Sequence, residues 1–515
     1  MVEKKAAMKK AIDTAVICRK ADPLQIRTDV LAVGVFEKEP LGGWVQRVDR
    51  RLKGQISRLL ELKDFKGKPQ MTALLYTRGQ LGAERVLLVG LGEKKKADAD
   101  TLRKAASAAA SAAVDLRVSS LAAAVDWGDW ANHTPQELAQ AFAEGIYFGA
   151  YRYIEYRSPE PSEPPVSSLQ AVLAEPDERR LRPLQQGIRI GGILGKAQNF
   201  ARTIANRPAN VMTPAALAAE AQKLARRTAG LRCTVLDEKK LAAEKMGGIL
   251  AVGKGSANPP RLIVLRYSPS AASSKAAPLA LIGKAITFDS GGVSLKPSEG
   301  LHDMKFDKSG GAAVLAAMAA VAALKPRRVI YGIIPAAENL PSGTSYRPGD
   351  IVTTYSGKTV EIQNTDAEGR MLLCDAIAYA VKLGCNPIVD TATLTGACVV
   401  ALGTKRAGLM GNDPGLLEAI EKASRKTGER VWRLPCDDEY VEAMKSQIAD
   451  LKNVGGKWAG ACTAAAFLSQ FVGKARWAHL DIAGVGVWGA GEKDAPGSIG
   501  FGVRLLTTFA MNSVF

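Results

Sequence analysis

The sequence predicts an α/β protein: a smaller N-terminal α/β domain over residues 1–176, and a larger C-terminal α/β domain over 177–515 with a mostly parallel, helix-covered central sheet. Three observations predict it. Apolar runs of strand length alternate with stretches of helical period, the pattern of strands joined by crossover helices. A proline-rich stretch, SPEPSEPP at 158–165, punctuates the chain and is followed by a long helical pattern. A chain of 515 residues that is 47% hydrophobic can also bury more than one core.

In order, VLAVGVF and RVLLVGLG read as buried strands, and TLRKAASAAASAAVDL as a helix of good formers. The Gly-Leu-Gly at 90–92 lacks the third glycine of a dinucleotide fingerprint, so no cofactor is expected there. LQAVLA is a strand, and DERRLRPLQQGIRIGGILGKAQNFARTIAN is a long helix joining the domains. From about 206 onward RLIVLRY, LALIGK, VIYGIIPA and PIVDTAT supply the strands of the second sheet. GILAVGKGS has phosphate-loop spacing, but Gly255 stands where the magnesium-binding hydroxyl belongs, and the match fails.

Bulk properties narrow the classes. No apolar run reaches the roughly 18 residues that span a bilayer, and MVEKKAAMKKAIDTAV has no apolar signal core, so a cytoplasmic protein without a membrane partner is expected. Seven cysteines without a C-x-x-C pair argue for reduced, partly buried thiols over a disulfide framework. The formal charge of +18, with clusters at Lys4, Lys5, Lys9, Lys10 and at Lys94 to Lys96, reads first as a solvated basic surface and second as a nucleic-acid contact.

The chemistry gathers in two stretches. NTDAEGRMLL (364–373) sets Asp366, Glu368 and Arg370 between a strand, KTVEIQ, and an amphipathic helix, MLLCDAIAYAVKL. LALIGKAITFDSGGVSLKPSEGLHDMKFDKSGG (279–311) carries Lys284, Asp289, Lys296 and Asp307 and ends at a Gly-Gly helix start. Charged residues at the carboxyl ends of strands in an open α/β sheet sit where ligands bind. Singly, each Asp reads as a cap or turn former and each Lys as a snorkelling side chain. Together, four carboxylates repel one another unless cations compensate. Two readings stay open: an ion-pair cluster with Lys296 and Arg370, or two divalent ions that match the acids' charge and force the Lys284 amine neutral. The second suits metal-assisted hydrolysis. Only His133, His302 and His479 exist, which argues against an all-imidazole zinc site. His302 reads as exposed or hydrogen-bonded, with support of a metal ligand as the sharper alternative; His479 reads as a satisfied sheet residue. The absence of a G-x-S-x-G elbow argues against a serine hydrolase.

NTDAEGR and GKAITFDSGGVSLKPSEGLHDMKFD resemble the two metal-binding segments of the leucyl aminopeptidase (cytosol aminopeptidase) family. IANRPANVMTP, ENLPSGTSYRPGD, DTATLTGACVVALG, WRLPCDDEY and WAHLDIAG resemble its other blocks in the same order, over roughly 200–510. The resemblance implies a metallo-exopeptidase that releases N-terminal residues, leucine and other apolar ones foremost. It implies metal ligation by Lys284, Asp289, Asp307, Asp366 and Glu368, and catalysis by Lys296 and Arg370. A pocket for the first residue would be formed by Met304, Thr393, Gly396, Ala483 and Gly486. It further implies two divalent ions (manganese or zinc, magnesium exchangeable in one site), a bicarbonate held by Arg370 as general base, peptide substrates with a free N-terminus, and a homohexamer. Ala285 replaces a common glycine, Lys308 a common methionine, and Gly486 a bulkier residue found in some relatives. Two rivals remain: a DNA-binding regulator on the same scaffold, which +18 makes physically reasonable, and a two-metal phosphoesterase.

Overall fold

The computed structural model describes residues 12–130, 132–158, 166–269, 276–486 and 497–512. Lys4, Lys5, Lys9, Lys10 and all of the proline-rich stretch but Ser158 lie outside the described residues. By internal contacts the chain divides into two units, Met1–Asn199 and Phe200–Phe515, with the division inside the helix Glu178–Asn206.

The first unit holds a six-stranded sheet of β1 (Asp13–Lys20), β2 (Thr28–Phe36), β3 (Thr72–Tyr76), β4 (Ala83–Gly92), β5 (Ser120–Ala124) and β6 (Ser168–Glu175). Their order is β1-β6-β5-β2-β4-β3, and only the β3–β4 pair is antiparallel. The helices Ala99–Asp115 and Pro135–Ala150 both start in capping boxes, Asp98 with Thr101 and Thr134 with Glu137, which satisfy end N–H groups that would otherwise lack partners. Alanines at 105, 106, 109, 110 and 113 give the first helix a thin buried face. The two helices are joined by buried Arg103, 2.7 Å from both Glu144 and Asp100.

The second unit begins with β7 (Leu231–Leu236), β8 (Arg261–Tyr267), β9 (Leu279–Gly283), β10 (Ala285–Asp289), β11 (Ile330–Asn339), β12 (Ile351–Thr353) and β13 (Thr359–Glu361). It continues with β14 (Ile388–Ala392), β15 (Ala407–Gly411), β16 (Val431–Arg433), β17 (Leu451–Lys452) and β18 (Trp477–Asp481). Nine strands form one sheet in the order β16-β15-β18-β14-β9-β11-β8-β7, with β10 pairing beside β11. Its centre is parallel, and antiparallel pairs lie toward the edges. All five residues of β9 are fully buried, as a helix-covered central strand requires. The predicted fold class is therefore observed: two α/β units with mostly parallel sheets.

Two expectations need correction. KTVEIQ does form a strand, β13, but it belongs with β12 and β17 to a separate three-stranded sheet. Asp366 and Glu368 thus do not follow a strand of the main sheet. Also, the helical stretch Leu301–Leu324 does reach spanning length and apolarity, contrary to the sequence reading. Its most apolar window is 83% buried in the protein, which makes it a core helix.

Asp375 shows how buried polarity holds the second unit. Its carboxylate accepts the N–H groups of Ile249 (3.0 Å) and Tyr355 (2.7 Å) and that of Gly248, anchoring the start of the helix Gly247–Gly253. Replacing it by Ala leaves those donors buried and unpaired. Asp375→Ala should lower stability by about 2–4 kcal/mol; a change under about 1 kcal/mol in chemical denaturation would show that water replaces the carboxylate.

Candidate active site

Lys284 stands between β9, whose five residues are all buried, and β10. Lys284 is 2% exposed. Its Nζ lies 2.8 Å from both Asp307 Oδ1 and Glu368 Oε1 and donates to the Thr393 carbonyl at 2.7 Å. Asp289 ends β10, and its Oδ1 accepts the Gly291 N–H (2.9 Å) and the Asn339 amide (2.8 Å). The turn that follows needs glycine: Gly291 sits at φ +86°, and its carbonyl accepts the Thr365 hydroxyl at 2.6 Å. Thr365 also accepts the Ser294 N–H at 2.8 Å. The loop bearing Lys296 is thereby tied to the residue before Asp366, and Lys296 Nζ pairs with Asp289 Oδ2 at 3.0 Å and with Asp366 Oδ1.

Six of the seven charged residues named from the sequence fall into two ion-paired triads, Lys284 with Asp307 and Glu368, and Lys296 with Asp289 and Asp366. Arg370 is close by on the helix Glu368–Lys382, buried, with Nη1 donating to the Asn453 carbonyl at 2.7 Å and Nε without a partner among the described residues. Of the pocket residues, Thr393 donates to Asp307 Oδ1 at 2.6 Å, and a Cβ at Gly486 would come 3.2 Å from Thr393 Cγ2. Gly396 opens the helix Gly396–Leu402 and faces open space, Ala483 lies in the turn after β18, and Met304 is half-buried in the 3₁₀ segment Leu301–Lys308 that carries Asp307.

The electrostatics are those of a site short of positive charge. Burial, then Asp289, pushes Glu368 up to about 8 against the pull of Lys284. Burial likewise pushes Asp307 up to about 6 and raises Asp366. Burial works against the charge on Lys284, but Asp307, Glu368 and Asp289 outweigh it and hold the ammonium well above its ordinary range. Burial lowers Arg370 to about 10. The donors fit divalent ions: Asp289, Asp366 and Glu368 bring ligand oxygens within 4.8 Å of one another, and Asp307 Oδ2 is buried with no hydrogen-bond partner. The two lysine ammoniums supply the positive charge among the four acids.

Lys308 does not turn toward the acids. Its amine, fully buried, donates to the carbonyls of Arg207 (2.9 Å) and Lys305, and burial with nearby Lys305 lowers it to about 7. His302 is 79% exposed and reaches only Asp303, at 3.6 Å. His479 is fully buried, with Nδ1 2.5 Å from Asp390 Oδ1, so it is a satisfied sheet residue on that side. Residues that the sequence reading passed over support the site from behind: Asn339 on Asp289, Tyr346 donating to the Thr365 carbonyl at 2.8 Å, and Asp481 under the Thr393 loop. Asp481 carried a signal, since it shares the strand alternation of Trp477 and His479.

Residues 199–507 match the catalytic domain of the cytosol aminopeptidase family, and residues 32–160 match its N-terminal domain. A probable cytosol aminopeptidase of Geotalea uraniireducens is 43% identical over 489 residues, covering 95% of this chain and 97% of the relative. One of Geobacter sulfurreducens is 44% identical over 491 residues, covering 94% and 96%. Among solved structures, a tomato leucine aminopeptidase mutant superposes with a TM-score of 0.87 at 33% identity over 98% of both chains. The bottromycin maturation enzyme BotP in complex with Mn superposes with a TM-score of 0.80 at 34% identity, over 94% of this chain and 99% of that one. Fold, site and relatives together define an aminopeptidase. The chain belongs to the cytosol aminopeptidase family.

Proposed function

We propose that this aminopeptidase is metal-dependent and releases leucine and other apolar residues from the N-terminus of peptides, with Lys284, Asp289, Asp307, Asp366 and Glu368 holding two divalent ions. The observation that carries the reading is the under-compensated cluster of four acids around two lysines. Manganese or zinc, with magnesium in one position, suits this donor set, and the manganese in the BotP complex supports the choice. When bound, such ions supply Lewis acidity toward the peptide carbonyl and lower the pKa of a water.

The chain's own residues do the rest. Lys296, 24% exposed, is the cation that a substrate carbonyl can reach, and it stabilises negative charge developing on that oxygen. Arg370 has an unpaired buried donor to hold an anion, a bicarbonate in this reading, as general base. Thr393, Gly396, Ala483, Gly486 and Met304 enclose the first side chain.

The test is hydrolysis of leucine p-nitroanilide by metal-stripped protein refilled with manganese or zinc. Activity should return with metal and stay absent in Asp366→Ala. Full activity in the stripped protein would sink the metal dependence.

We place the protein in the cytoplasm, on the names of its relatives; cell fractionation checks this. The homohexamer finds support in exposed apolar side chains of the second unit, Val400 (90%) and Trp458 (76%) among them. A DNA-contacting role has the charge of +18 in its favour. Light scattering should give near six times the 54.5 kDa chain mass, and duplex affinity should fall steeply with salt. A monomer, or binding indifferent to salt, removes the respective assignment.

A further inference from the structure

We infer that Asp481 is a positioning residue that holds the two walls of the first-residue pocket in register and so sets side-chain preference; this rests on the aminopeptidase reading above. Asp481 ends β18 with no exposure to solvent. Its Oδ1 accepts the N–H of Leu394 at 3.2 Å and of Ala483 at 3.1 Å, and its Oδ2 accepts the Thr395 hydroxyl at 2.6 Å. Its main-chain carbonyl takes the Cys398 thiol at 3.7 Å. These contacts go to two turns and to the helix Gly396–Leu402 that opens from the first of them. One follows β14 and carries Thr393 and Gly396; the other follows β18 and carries Ala483 and Gly486.

Each turn has further ties. The first is fixed at one end by Thr393, whose carbonyl accepts Lys284 and whose hydroxyl donates to Asp307. At its other end Thr395 caps the helix Gly396–Leu402 by accepting the Cys398 N–H at 3.0 Å. That cap is aimed by the bond from the Thr395 hydroxyl to Asp481. The second turn closes on itself, Val485 and Gly486 both donating to the Ile482 carbonyl at 3.0 and 2.8 Å. Only the Asp481–Ala483 bond fastens its start to the carboxylate that also holds the first turn. The Asp481 carboxylate thus ties the wall that touches the acids to the wall that does not, beside the main-chain bond from the Ile482 N–H to the Ala392 carbonyl at 2.8 Å.

Removing it leaves two N–H groups and a hydroxyl buried without their acceptor, and the walls separate at the point where the substrate side chain lies. The reacting centre keeps Lys284, Asp307 and Thr393. The effect should therefore fall on discrimination and KM more than on the chemical step.

The measurement compares kcat and KM for leucine and alanine p-nitroanilides in manganese-loaded wild type, Asp481→Ala and Asp481→Asn. For Asp481→Ala the leucine-to-alanine ratio of kcat/KM should fall about tenfold or more, mainly through KM for leucine, while kcat for alanine stays within about threefold. Asp481→Asn keeps an acceptor oxygen for the two N–H groups and should hold the ratio within about threefold of wild type. Equal losses on both substrates in Asp481→Ala, with the ratio unchanged, would reduce Asp481 to a purely structural residue and overturn the inference. If Asp481→Ala does not fold, Thr395→Val decides: removing the hydroxyl, with its bond to Asp481 and its cap on the Cys398 N–H, should lower the ratio about threefold, and an unchanged ratio overturns the inference. Wild type that cleaves neither anilide with any metal defeats the aminopeptidase reading itself, and that failure is read on the wild type alone.

Discussion

Lys296→Ala should lower kcat about 100- to 1000-fold while KM for leucine p-nitroanilide changes little, the signature of a donor that acts on charge developing in the transition state. The reasoning is local. Lys284 is enclosed by Asp307, Glu368 and the Thr393 carbonyl and has no free direction. Lys296 rides on the loop after β10, is partly open to solvent, and contacts only Asp289 and Asp366 on the acid side. Were divalent ions held by those acids, as proposed above, the Lys296 ammonium would be free to face a substrate carbonyl. Near-normal turnover in Lys296→Ala would show that its role is confined to balancing the acids. Arginine at this position should not restore the rate, because its planar fork cannot replace a compact ammonium in the same space.

Gly369→Ala should cut kcat/KM by about 100-fold or more although it adds one methyl group outside the ligand set. A Cβ at this position would lie 2.7 Å from Lys284 Nζ and Cε and 2.8 Å from its Cδ. The lysine must move, and its movement breaks the contacts to Asp307 and Glu368; displacements of about 1 Å at a reacting centre cost rates of this order. Alanine in a helix gains about 0.5–1 kcal/mol over glycine, which offsets only part of what is lost when the buried pairs to Asp307 and Glu368 break. The observation to seek is activity nearly lost in a protein that circular dichroism shows is still folded. Retained activity would mean that Lys284 can leave its place without harm to catalysis.

The site residues were legible because each sits in an unbroken local pattern: a strand followed at once by charge, with glycines where the backbone must turn. Lys284 to Asp307 and Asp366 to Arg370 form two such runs, and the sequence reading needed only to suppose that the runs meet. The strands were legible for the same reason, their apolar lengths matching β2, β4, β9, β11 and β14. Sheet membership was not. KTVEIQ looks the same whether it joins the main sheet or, as it does, pairs with β12 and β17, because partner choice depends on residues about ninety positions away. Asp375 and Asp481 escaped notice for a related reason. A buried acid whose partners are backbone N–H groups has no charged counterpart to betray it, and its acceptors are used by segments remote in the chain. The direction of Lys308 was equally hidden, since one rotamer separates the acids from the carbonyls it prefers.

The two ammonium groups inside the acid cluster have a consequence for how the enzyme is made. A nest of four carboxylates with no internal counter-charge would oppose closure of the scaffold around it. Lys284 and Lys296 supply that counter-charge from within the chain, one from each end of β10, so the repulsion among the acids is met by the same segments that bring them together.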